Sequence, residues 1–328
     1  GTLNTIIGGL AGDALTTGAQ NTAIGHEALS TEDTGARNTA IGEGSLKTLN
    51  FDGNGYNVAV GYNSGHVMST GVENTLVGGL AGDALTTGIN NTAIGYNALG
   101  AEDTGSGNTA LGRYALASLN YDGYSGNTAV GWISGYQIST GTGNTLLGSS
   151  TGSALTTGTG NTALGYEALK DEDAHGRNTA IGYDALKVQN AGADAYNVAV
   201  GYAAGQAVTT GANNTIVGGL AGDALTTGSA NVAIGVEALS TEDAGGTAVA
   251  VGYQALKTQD GGDTFNTAVG YRAGYLIQTG AQNTIIGALA GDALTIGRFN
   301  TALGYQSLSG NILTDRNTAL GYGTLASL

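Results

Sequence analysis

Asn-Thr-Ala-Ile-Gly, first met complete at residues 21–25, returns in close copies nineteen times along a chain of 328 residues. The copies begin at Asn4, Asn21, Asn38 and so on to Asn317, with Ala248 the single first residue that is not asparagine. Their spacing is 17 residues, except for 19 on three occasions and 18 once. A fixed short period of this kind belongs to stacked coils, in which each unit leans only on its neighbours. The expected fold is therefore all-β, a parallel β-roll or β-solenoid of 19 turns over residues 1–328.

Composition narrows the choice. Sixty glycines without a single proline exclude collagen, and 41% apolar against 11% charged residues argues against disorder. With no cysteine there is neither a disulfide framework nor a thiolate metal site. A net charge of −15 speaks against nucleic acid and against anionic membrane surfaces as partners. No apolar run reaches the ~18 residues of a membrane helix. The chain opens and closes on repeats, so it reads as a segment of something longer.

Thr, Ile, Val and Tyr suit strands, and glycine every few residues disfavours helix. The segment after the pentapeptide, such as Tyr96-Asn97-Ala98-Leu99, suits a second strand or a helical turn. Position four is aliphatic and position five is glycine in every copy, which marks Ile24, Gly25, Ile41, Gly42, Ile94 and Gly95 as structural core. Asn21 and Asn91 belong to a column of first-position asparagines able to form an amide ladder. Fifteen of nineteen second positions are Thr. Successive strand residues point to opposite faces, so positions three and four, both apolar, cannot both face one interior. The second face calls for a partner, and the expected partner is another copy of the chain.

A longer period overlies the short one. Asn4, Asn74, Asn144 and Asn214 stand 70 residues apart, giving blocks 4–73, 74–143, 144–213 and 214–282 and a partial block 283–328. The second turn of each complete block carries an acidic corner: Glu32-Asp33, Glu102-Asp103, Glu172-Asp173 and Glu242-Asp243. The third turn holds the longer connection, with Phe51 and Tyr56 in one block and Tyr121 and Tyr124 in the next. Protruding aromatic loops suit glycan or protein surfaces, which makes these four the candidate contact residues. Where position three is bulky, as at Leu76, the residue after the core glycine is small, as at Gly79. A volume swap of that kind suggests one shared interior space, and tyrosines at this place then read as packing groups.

The search for chemistry is mostly negative. His26, His66 and His175 fall in different kinds of turn, and no spacing supplies the partners of a catalytic triad or a histidine metal site. No cofactor is called for and the chain reads as a non-enzyme. Weak calcium binding at corners such as Glu32 and Asp33 is the one ion site the pattern allows; otherwise these acids form a solvated, repelling surface.

The stretch Asn-Thr-Ala-Ile-Gly-Tyr-Asn-Ala-Leu at residues 91–99 resembles the repeats of tail-fibre-domain proteins of phages and bacteria. It is also similar to the head repeats of trimeric autotransporter adhesins, whose unit reads Asn-Ser-Val-Ala-Ile-Gly. The resemblance covers essentially the whole chain, though the unit here is longer than the adhesin's. It implies a left-handed parallel β-roll, a homotrimeric fibre, an extracellular, cell-surface or virion location, and attachment to a host surface glycan or protein. A structural fibre shaft or adhesin is thus the leading expectation. A self-assembling extracellular filament comes next, and an ice- or mineral-binding solenoid using the Thr column is third.

Overall fold

The computed structural model describes residues 1–310, 313 and 315–326; the expected closing of the array at Leu328 lies outside the described residues. The chain divides into two compact units, residues 1–161 and 162–328. Both are built from three-residue strands joined by turns. The first unit runs from β1 (Thr5–Ile7) to β9 (Thr145–Leu147) and the second from β10 (Thr162–Leu164) to β19 (Thr318–Leu320). Within each unit every strand pairs in parallel with the next, one turn on. Thr22 faces Thr39 in the first unit and Thr162 faces Thr179 in the second. The fold is an all-β solenoid. Among the described residues there is no helix, and so none long and apolar enough to cross a membrane.

Residues 96–99 form neither a second strand nor a helical turn but consecutive tight turns. Asn97 and Leu99 both lie in the left-handed region, with φ of 54° and 55°. Such residues cannot propagate a right-handed helix. Their N–H groups point along the stack instead, as Leu99 N donates to Ala115 O in the next layer at 3.0 Å. The inherent cost of the conformation is offset by that bond and by complete burial of the Leu99 side chain.

The interior belongs to position three, not position four. Ala23, Ala40 and Ala93 are fully buried, whereas Ile24, Ile41 and Ile94, expected in the core, are half-buried on the outside of the coil. The reason is width. Each coil is closed so tightly that leucines from its turns, Leu29, Leu46 and Leu99, already fill the inside, leaving room for a methyl group opposite them. Asn21 and Asn91 are buried as expected, and Gly25, Gly42 and Gly95 carry the chain out of the strand.

The volume swap also has a different partner from the one expected. Leu76 shares its space with Gly82, where a Cβ would sit 2.8 Å from Leu76 Cδ2 and from Leu85 Cδ1. Gly79 lies outside; its nearest neighbours would be the ring of Tyr96 and the carbonyl of Tyr62, at 3.7 and 4.0 Å. A large residue at position three thus displaces the turn leucine rather than the tyrosine.

The asparagine column forms the expected ladder, with Asn108 Nδ2 donating to Asn91 Oδ1 at 3.3 Å, and shorter rungs to the backbone run beside it. Asn91 Oδ1 accepts the backbone N–H of Asn108 at 3.0 Å, and Asn91 Nδ2 donates to Gly105 O at 2.9 Å. Asn91 N in turn donates to Asn74 Oδ1 at 2.9 Å. A side chain bonded like Asn91 closes its own coil and ties it to the following one, whereas Asn38, which opens a 19-residue turn, ties its coil to the next through Oδ1 but leaves Nδ2 unbonded. Where Ala248 interrupts the column, Gln259 steps in: it accepts from Asn266 Nδ2 at 2.8 Å and donates to Glu242 at 3.0 Å.

Asn91→Ala strips two buried partners at once, so it should lower stability by about 2–4 kcal/mol in chemical denaturation; a loss below about 1 kcal/mol would show that the ladder is replaceable by water. Gly95→Val should cost more, about 3 kcal/mol or above, because a Cβ there would lie 2.5 Å from Gly112 O at a φ of +137°. A variant melting like the parent would contradict that close approach.

Candidate functional surface

Among the described residues no pocket is present, and the candidate surface is the outside of the coils. Three features stand there: the outer strand face, the aromatic residues beside it, and the loops of the third turns.

Strand residues two and four point outward together. In the first unit this sets Thr22, Thr39, Thr75 and Thr92 in register beside Ile24, Ile41, Val77 and Ile94, all half-buried. In that unit the aliphatic rank is most open at Ile7 and Leu147. Next to it runs position six. The tyrosines there are not interior packing groups: Tyr62, Tyr166, Tyr183, Tyr202 and Tyr271 are all about half-exposed. They pack on each other along the stack. Tyr166 and Tyr183 have ring centroids 5.1 Å apart, and Tyr183 and Tyr202 5.5 Å, with interplanar angles of 18°. Layer spacing near 4.8 Å holds successive rings in offset contact.

Of the four expected contact residues, Tyr56 and Tyr124 are exposed, Tyr124 by 77%, while Phe51 and Tyr121 are half-buried. Phe51 lies over its own loop, near Gly53. Tyr56 receives a hydrogen bond from Arg37 Nη1, and the guanidinium stands 5.4 Å from its ring centre. Arg177 and Tyr196 repeat that pair in the second unit. In the block between, Gly107 takes the arginine's register and Tyr124 lies over it, a Cβ being excluded by the ring. Of the four expected contact residues, only Tyr56 and Tyr124 are therefore presented to solvent.

The acidic corners differ most from expectation. Glu32, Glu102, Glu172 and Glu242 do not face solvent; each is fully buried. They occupy a core register that leucine holds on both sides of Glu102, at Leu85 and Leu119. Glu32, the expected calcium ligand, accepts Gly35 N at 2.6 Å and Phe51 N at 3.3 Å. Glu102 accepts Gly105 N at 2.7 Å and Tyr121 N at 3.3 Å. Asp33 stays half-buried at the edge and supplies its carbonyl to Thr16 N at 2.8 Å. Burial pushes the Glu32, Glu102 and Glu242 carboxyls up, and the bonds to N–H groups offset only part of that. Asp83, Asp223 and Asp292, which share one register, are raised by the same loss of water.

His175 stands beside two carboxylates. Its Nδ1 lies 3.3 Å from Glu172 Oε1 and 3.8 Å from Asp173 Oδ1. Sequence reading missed this grouping. The signal was available in the block alignment: His175 occupies the register of Gly35, Gly105 and Gly245.

Because these glutamates are raised in the folded state, the fold binds protons more readily than the unfolded chain there. Their stabilising contribution is complete below the ordinary glutamate value and is lost as pH rises through the higher folded value. The parent should accordingly gain stability from this source on acidification across that window, and Glu102→Gln should lose its share of the gain. Melting curves of the two proteins against pH decide it; parallel curves would mean that Glu102 titrates as if in water. No family model matches the chain, and no curated protein or solved structure matches it.

Proposed function

We propose that this chain is a structural, non-catalytic shaft or adhesin segment of a fibre made of three copies, located outside the cell or on a virion and serving attachment. The observation that carries the reading is the outer strand face. A rank of Ile, Val and Leu, one per layer, lies half-open beside stacked tyrosines and Trp132. Continuous apolar faces of this kind mark interfaces. A stacked coil presents the same face in every layer, so a second copy in register meets like with like along the whole seam. The exposed Tyr56 and Tyr124 loops then face outward as repeated weak contacts for a glycan or protein surface, strengthened by multivalency.

A second reading rests on one further observation. The Thr column, which a buried strand would hide, faces outward in register and is half-exposed at Thr22, Thr39, Thr75 and Thr92. A regular rank of hydroxyls suits an ordered ice or mineral lattice, and a thermal-hysteresis assay tests that use directly.

Light scattering of the parent should give the mass of three chains. Val77→Glu combined with Leu111→Glu should shift it to one chain while leaving the coil folded, because on a separated chain both carboxylates reach water. A monomeric parent would sink the trimer, and a mass that climbs without limit on concentration would favour the end-to-end filament.

A further inference from the structure

We propose that Glu172, Asp173 and His175 form a binding site for one divalent transition-metal ion of the zinc class. The three residues each offer one ligand atom, and these atoms lie within 4.8 Å of one another. An imidazole nitrogen with two carboxylates suits zinc, and an imidazole among the donors disfavours calcium and magnesium, which take oxygen ligands.

The second observation comes from the other acidic corners. In those, both oxygens of the buried glutamate are occupied. Glu32 Oε2 accepts Phe51 N at 3.3 Å, Glu102 Oε2 accepts Tyr121 N at 3.3 Å, and Glu242 Oε2 accepts Gln259 Nε2 at 3.0 Å. Glu172 is bonded only within its own corner and only through Oε1, which accepts His175 N at 3.2 Å and lies 3.3 Å from His175 Nδ1. Its Oε2 is buried and has no hydrogen-bond partner, although the residue is completely enclosed. The group that could have served it, Gln189, stands in the register of Gln259 but is turned to the asparagine column. It donates to Asn178 Oδ1 at 3.2 Å and accepts from Asn197 Nδ2 at 3.1 Å.

A buried carboxylate oxygen without a donor is costly, and a cation satisfies it. The imidazole stands where the other three acidic corners carry glycine, at Gly35, Gly105 and Gly245. The His175 side chain is 22% exposed and that of Asp173 49%, so the site opens to water on the ligands that close over the ion. Two carboxylates balance the charge of a divalent ion, and water completes its coordination.

Calorimetric titration of the whole chain with zinc chloride at neutral pH should show saturable uptake of one ion, with a higher melting temperature when loaded. His175→Gly gives this corner the residue its three counterparts carry, so it is the variant of choice. Outer-shell partners alone are worth about 10–100-fold in metal affinity, and loss of a ligand should weaken zinc at least about tenfold. Absence of saturable uptake overturns the proposal, and so does an affinity that His175→Gly leaves unchanged. If that variant fails to fold, Asp173→Asn, which alters one half-exposed side chain, is judged by the same criterion.

Discussion

The structure depends on how the first-position asparagine divides its two ends. Its Oδ1 accepts from the backbone of the next layer, and its Nδ2 donates to a carbonyl fourteen residues further along its own turn, as at Asn91 and Gly105. One side chain thus closes a coil and fixes the register of the coil that follows. Aspartate would lack the donor, and serine the reach. A strand of three residues is far too short to hold register by its own ladder, so the task passes to an amide repeated in every layer but one.

From that closure follows the narrow interior, and from the narrow interior the inverted use of hydrophobicity. Ordinary reasoning sends isoleucine inside and lets alanine take either face. Here Ala93 is enclosed and Ile94 is not. Strand positions, the parallel stacking, the 70-residue blocks and the asparagine ladder were all legible in the sequence, because each rests on spacing. The face assignment was not, because positions three and four are both apolar and alternation alone has no sign. Only the turn leucines, which reach the interior from left-handed positions such as Leu99, settle it. The volume swap beside the core glycine suggested that most of the sixteen tyrosines are packing groups. Their place beside an outward strand makes them a surface instead.

The candidate site was legible in part. Tyr56 and Tyr124 stand out because long connections must leave the coil, while Phe51 and Tyr121 fold back over loops of the same kind. The acidic corner misled because charge was read before register. Aligned by turns, Glu32 shares a column with Leu49 and Met68, and both are core residues. The same alignment puts His175 over three glycines.

Register also explains why a carboxylate is tolerated inside. The corner always precedes a third turn, which is 19 residues long in the first three blocks. Two extra residues lift that loop off its neighbour, and its first N–H, from Phe51 or Tyr121, loses the carbonyl that an ordinary turn would supply. The glutamate one layer before reaches it at 3.3 Å in both cases. In the fourth block the following turn is one residue shorter, and there Gln259 supplies the donor from its side chain. In the first two blocks acid and loop are therefore one arrangement: leucine at this register would pack as well as it does in the flanking layers, but would leave the loop's amide buried and unpaired, at a cost of about 1–3 kcal/mol. Part of the desolvation cost of the carboxylate is thereby offset by an amide that has no other acceptor.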